Sequence, residues 1–390
     1  MSFSVLAVIS AVALLGPALA LPEGWHLPVV LGELLAGIAL GPTGFSFLSA
    51  TDPGFAFLAE VGFALVMFVA GTHVPMRDPS LRSTVWLGLL RAIGVGVAAA
   101  VVGVLLSRVF GTGHAALYAV LMASSSAALI LPIVGSLRLQ GPSIVQLLPQ
   151  IAIADAACIV ALPLVIDPAH AGRAAIGAVA VLAASAVAFL VLSRLERNGW
   201  RKRTHDVSEK RKFALELRVN LAILFGLAAL AVGLHVSVLL AGFSYGLVVA
   251  AIGEPRRLAR QLFAVTEGFF GPLFFVWLGT SLDLRELGSH RSFIVLGLVL
   301  GLGAVAAHLS MRAVGQPLPA AGLASAQLGV PVAAATVGTQ LHVLQPGEPA
   351  ALILGALITI GVAVLCAALL ARGSTGPVPA SPARTSGPGR

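Results

Sequence analysis

Residues 143–166 read SIVQLLPQIAIADAACIVALPLVI, twenty-four residues with one charged side chain, Asp155, at the thirteenth position. A bilayer core of about 30 Å takes roughly 20 apolar residues of helix, so the stretch reads as a transmembrane span. Its carboxylate then lies near the midplane, where a bare charge costs about 2.5–3.5 kcal/mol on insertion scales. Such a residue is by default a functional candidate; the plainer reading is a structural hydrogen bond or interhelical pair.

The same length rule gives thirteen spans: 4–21, 27–44, 55–74, 84–110, 114–137, 143–166, 173–195, 215–233, 235–253, 261–280, 292–314, 319–341 and 348–371. The chain of 390 residues is 58% hydrophobic and 10% charged, with mean hydropathy +0.99. That balance excludes a soluble globule. Glycine, at 43 residues, suits close helix packing. Cys158 and Cys366 lie far apart in apolar runs, which excludes a disulfide framework or a zinc site. The net charge of +8 does not indicate nucleic acid, because the basic residues gather in loops between spans. Gly94-Val95-Gly96 follows no strand, and no Gly-x-Ser-x-Gly elbow accompanies the serines. An enzyme is not expected, nor a cofactor.

Orientation follows from Lys and Arg. Placing the basic 194–218 connector, with Trp200-Arg201-Lys202-Arg203, in the cytoplasm puts 19 of the 24 basic residues inside. The N-terminus is then outside and the C-terminus cytoplasmic, in a multi-pass inner membrane protein. Ala18-Leu19-Ala20 resembles a signal-peptidase site, but no basic stretch precedes it, so the first span is read as retained. The Pro/Ser/Gly-rich tail, 372–390, is expected to be disordered.

A repeat runs through the chain. Leu34-Leu35-Ala36-Gly37 through Gly41 matches Leu239-Leu240-Ala241-Gly242 through Gly246, and Glu60 through Gly71-Thr72 matches Glu267 through Gly279-Thr280. The matched spans stand seven apart, so the copies cross in opposite senses, as in inverted-repeat transporters. Six spans, a linker span at 173–195 and six more are expected. Gly37 to Ser125 and Gly242 to Val330 are both 88 residues. Ser124-Ser125-Ser126 with Pro132, and Gly329-Val330-Pro331, are poor helix centres at corresponding places, the sequence mark of a transporter site. Asp155 is the candidate ion and proton site, holding either a proton or a monovalent metal cation. Ser124, Ser125, Ser126, Gly329 and Val330 would support it with oxygens and an interrupted backbone. His308 is a weaker candidate, as a proton relay or a partner for Asp155. Arg91 is expected to snorkel or to pair with an acid.

These stretches resemble the membrane domain of the monovalent cation:proton antiporter superfamily, in the branch of Kef-type potassium efflux systems and bacterial sodium/proton exchangers. The similarity runs from about residue 20 to 371 and is carried by Leu27-Pro28-Val29 through Gly37, Gly41-Pro42, Ala59-Glu60-Val61-Gly62, Ser124-Ser125-Ser126 with Leu131-Pro132, Ala154-Asp155-Ala156 and Pro272-Leu273-Phe274. The resemblance implies a core domain, about 84–166 and 292–371, with two crossed broken helices. A dimerisation scaffold, about 4–74 and 215–280, would pack against it. It also implies alternating access by an elevator-like movement, a homodimer in the lipid bilayer, and Na⁺ or K⁺ and H⁺ as substrates, with Asp155 matching the family's ion-binding aspartate.

The chain departs from the family pattern. Ala154 stands where Asp, Gln or Asn is frequent, Gly303 falls where a Lys or Arg is common, and Gly329-Val330 replaces a Gly-Glu pair. No nucleotide-binding regulatory domain is expected in this chain. A lone carboxylate without a basic partner points to electroneutral exchange. Two rival readings stay open: a non-transporting sensor or subunit on the same scaffold, and a sodium-coupled organic-anion symporter.

Overall fold

A computed structural model describes residues 1–21, 29–72, 79–198, 213–234, 236–253, 256–281, 285, 288 and 291–374. Every regular element among them is helical, and no strand occurs. The chain begins with α1 (Phe3–Ala13), α2 (Leu15–Ala20), α3 (Val29–Leu40), α4 (Pro53–Thr72) and α5 (Pro79–Phe110). Next come α6 (Ala115–Ala123), α7 (Ala127–Ser136), α8 (Pro142–Ile166) and α9 (Ala171–Arg197). The second half holds α10 (Leu215–Gly233), α11 (Val238–Ile252), α12 (Arg256–Val265) and α13 (Gly271–Thr280). It ends with α14 (Arg291–Leu309), α15 (Leu318–Ala324), α16 (Gly329–Gln340) and α17 (Glu348–Ser374).

Among the described residues, ten helical segments are long and apolar enough to cross a membrane. The three others among the thirteen expected spans are α3 and α11, which are short, and the interrupted α6–α7 pair. Leu27 and Pro28, the connector residues 199–212 with their basic cluster, Arg77, and the tail from 375 onward lie outside the described residues.

Local chemistry sets the helix ends. Pro53 opens α4 behind Asp52, whose Oδ1 accepts from the Phe55 N–H at 2.9 Å, an N-cap bond that serves an otherwise orphaned donor. Gly141, at φ +111°, turns the chain into Pro142 of α8. Pro272 cannot donate to the preceding turn, and the chain answers with a π-turn at Thr266–Phe270 joining α12 to α13.

Large apolar side chains stay exposed at helical spacing along α5, at Trp86, Leu90, Ile93, Val97, Val101, Leu105 and Val109. Only hydrocarbon makes such a stripe favourable on an outer face. Inside, α5, α6 and α8 pack on one another, α5 and α6 also pack against α14, and α15 and α16 pack on α17. Separately, α4 packs on α11 and α13, and α3 on α13.

The sequence repeat reappears as matched crossings. A methyl on Gly37 would run into the Val276 carbonyl and Gly279 of α13, and one on Gly279 into the Leu34 carbonyl. Likewise Gly71 of α4 and Gly246 of α11 face each other across backbones that leave no room for a Cβ. So α3 crosses α13 as α11 crosses α4, through glycines, in the manner of small-residue membrane interfaces.

Candidate functional site

Two spans are broken. The first stops at Ala123 and resumes at Ala127, with Ser124 (φ −69°, ψ 150°) and Ser126 (φ −104°, ψ 102°) extended between. The second stops at Ala324 and resumes at Gly329. Neither break falls on the prolines that drew attention to it: Pro132 lies inside α7, and Pro331 sits in the first turn of α16, where its missing N–H costs nothing. Serine hydroxyls that compete for local carbonyls account for the first interruption, and the Ser124 and Ser325 hydroxyls donate to Leu121 O and Gly322 O, each at 2.8 Å.

The breaks are stitched together. The Ser126 N–H donates to Ala326 O at 2.7 Å, and the Ser125 hydroxyl donates to Ala324 O at 2.7 Å. Asp155, buried in α8, accepts from the Ala127 N–H at 2.9 Å. Ala127 is the first residue of α7, so the carboxylate caps a helix N-terminus, where free N–H groups and the helix dipole favour negative charge. Among the described residues it meets no ion-pair partner.

The other expected residues fall around this point. No hydrogen bond joins Ser124, Ser125 or Ser126 to Asp155. Gly329 faces Leu239 and Met67, and Val330 is buried apolar surface. His308 is fully buried, with Nε2 3.3 Å from the Ser125 hydroxyl and Nδ1 donating to Ala304 O at 2.9 Å. Its described bonds therefore reach the first break, not Asp155. A side chain at Gly303 would meet Met122 and Val102, so His308 is the residue of α14 that reaches the break.

Two polar clusters were not expected. Near the start of α6, the Glu348 carboxylate accepts from His114 Nδ1 at 2.7 Å and from the Tyr118 hydroxyl at 2.6 Å through Oε1. Its Oε2 accepts from the Gln345 N–H at 2.9 Å. That hydrogen bond holds the His114 imidazole above its usual range, against an opposing effect of burial. Near the start of α15, Gln316 donates to Gln150 at 2.9 Å. Close by, Arg91 is buried and donates to Gln146 Oε1 at 3.3 Å and Val314 O at 3.5 Å. It neither snorkels nor pairs with an acid among the described residues, contrary to expectation, because α5 packs there between α8 and the turn after α14. The only signal for either cluster is a polar residue inside an apolar run.

The model of the family described as sodium/hydrogen exchanger, transmembrane, matches residues 10–373. A putative Na⁺/H⁺ antiporter of Bacillus subtilis, YjbQ, is 25% identical over 386 residues, covering 94% of this chain and 62% of its own length. A probable Na⁺/H⁺ antiporter of Methanocaldococcus jannaschii is 26% identical over 72% of each chain. The chain thus spans less than two thirds of the first relative. The structure of the sodium proton antiporter MjNhaP1 from M. jannaschii superposes with a TM-score of 0.68 at 16% identity, covering 97% of this chain and 100% of that one; it shares the fold. With the match running through both broken spans and Asp155, the chain belongs to the sodium/hydrogen exchanger family of membrane proteins.

Proposed function

We propose that this protein exchanges a monovalent cation, Na⁺ or K⁺, for protons across the inner membrane, with Asp155 as the carrier group. The observation that carries this reading is the carboxylate of Asp155, buried with one N–H donor from α7 and no fixed cation beside it. Its charge is tolerable in a low-dielectric interior when a proton or an alkali ion neutralises it. The two occupants exclude each other, so one ion leaves as the other arrives. With no basic side chain paired to Asp155 among the described residues, the exchange is one for one and electroneutral. Ser124, Ser125, Ser126, Gly329 and Val330 frame the site, and His308 orients Ser125 within it.

In this reading the chain crosses thirteen times with its N-terminus outside, supported by the ten long apolar helices, the short α3 and α11, the broken α6–α7 pair and the distribution of Lys and Arg. Helices α5–α8 and α14–α17 form the core that moves, α1–α4 and α10–α13 the scaffold on which two copies pair, and α9 links them. Alternating access is the core sliding against the scaffold.

Proteoliposomes carrying a preformed pH gradient provide the test. Adding Na⁺, K⁺ or Li⁺ should collapse the gradient, and Asp155→Asn should abolish the response with the fold intact. Wild-type vesicles indifferent to all three ions between about pH 6 and 9 would overturn the reading.

A further inference from the structure

Arg91 belongs to a buried polar cluster that the exchange reading does not use. Gly88, Arg91 and Gly94 follow at three-residue spacing and so share one face of α5. A Cβ at Gly88 would come within 2.8 Å of Gln150 N on α8, and one at Gly94 would meet the Met311 thioether. Bare glycines one turn to either side thus let α8 and the turn after α14 close over the arginine. The guanidinium is left 2% exposed, about 10 Å past Thr84, where the apolar span of α5 begins.

Its charge meets no acid. Arginine keeps its proton in proteins. Both described bonds use one terminal nitrogen, Nη2, are long, and go to neutral acceptors, Gln146 Oε1 at 3.3 Å and Val314 O at 3.5 Å. The buried Nε–H has no partner among the described residues. No acid occurs on α6, α14, the turn after α14 or α15, and Arg312 in that turn is a further, exposed cation. Asp155, the sole acid of α8, lies about 7 Å farther along that helix than Gln150 and forms no ion pair with Arg91. Beside the arginine, Gln316 Nε2 donates to Gln150 Oε1, which leaves Gln150 Nε2 and Gln316 Oε1 unpartnered. Turning both amides over reverses that bond and again leaves one N–H and one oxygen spare. The cluster therefore holds two spare donors, Arg91 Nε and an amide N–H, and one uncompensated positive charge. Each is costly when buried. A water would supply an acceptor but no charge, whereas one small anion supplies both.

We propose that this cluster is an anion site, in which a small inorganic monovalent anion such as chloride accepts from Arg91 Nε and Gln150 Nε2. The occupant ties α5 to α8 and, through Gln316, to the start of α15. Purified protein in sodium gluconate, whose anion is too large to enter, provides the reference. Replacing gluconate by bromide at constant Na⁺ should raise the melting temperature by about 3 °C along a saturating curve. Gln150→Leu should move half-saturation to about 10-fold higher bromide, and Arg91→Gln should abolish the rise. A second measurement needs no variant: crystals grown in bromide should show an anomalous peak within hydrogen-bonding reach of Arg91 Nε. A melting temperature indifferent to bromide, or an equal rise in folded Arg91→Gln, would overturn the site. So would bromide crystals with only water, or a lipid phosphate, at Arg91. Neither measurement involves cation movement, so this inference and the exchange reading stand or fall separately.

Discussion

The two broken spans look alike in outline and differ in chemistry. The first supplies donors: its Ser126 N–H and Ser125 hydroxyl both give hydrogen bonds to the second, and its Ala127 N–H serves Asp155. The second supplies acceptors, the Ala324 and Ala326 carbonyls, and turns its own Gln327 N–H away to the Thr359 hydroxyl. Their anchors differ too. Helix α6 starts at His114 and is tied through Glu348 to α17 by ionisable groups. Helix α15 starts just after Gln316, tied to Gln150 of α8 by a neutral amide pair. Pseudo-symmetric halves thus hold the crossing with one anchor built of ionisable groups and one built of neutral amides. Backbone geometry repeats between the halves, while electrostatics is assigned to one of them.

The strongest way to break this contrast is Glu348→Ala. Glu348 is completely buried and receives three hydrogen bonds, so its removal strands His114, Tyr118 and the Gln345 N–H. Loss of one partner from a buried charged cluster costs about 3 kcal/mol. The variant should melt well below wild type in a detergent thermal-shift assay and exchange slowly. An unchanged melting temperature would mean that the ionisable anchor holds nothing. Ser125→Ala comes next, because it removes a buried hydroxyl bridging Ala324 O and His308. It should cost about 1–2 kcal/mol and lower the exchange rate. Gln316→Leu, at the neutral anchor, is the matched control.

Which parts of this were legible beforehand follows from the kind of signal each leaves. Asp155 stands out because one charge in a long apolar run is expensive, and that cost is visible in sequence. The serine triplet marked the first break for the same local reason. The second break was placed at Gly329-Val330-Pro331, whereas the chain interrupts at the preceding Ser325–Leu328 and uses Gly329 to restart the helix. Proline signals a helix boundary without saying on which side of it the helix lies. The Glu348 cluster left almost nothing to read: His114 and Glu348 are 234 residues apart and meet only because α6 and α17 share one end of the bundle.

The smallest expected effect is also the most selective, because pH acts on one anchor alone. The hydrogen bond from Glu348 raises the His114 pKa above its ordinary value near 6.5. A group whose pKa is raised on folding stabilises the fold fully below its unfolded value and loses that contribution as pH climbs through the raised one. The charged groups around it are Glu348 from α17 and the Tyr118 hydroxyl from α6, and Tyr118 does not titrate in this window. His114 is partly open to solvent, so screening keeps the gain small. Wild type should therefore melt about 2 °C above His114→Gln near pH 6, and the margin should close as pH climbs through the raised pKa and the imidazole loses its proton. The Gln316→Leu protein should show no such convergence, since an amide pair has no proton to lose. A margin for His114→Gln that stayed constant with pH would place its contribution in packing and would make the two anchors equivalent after all.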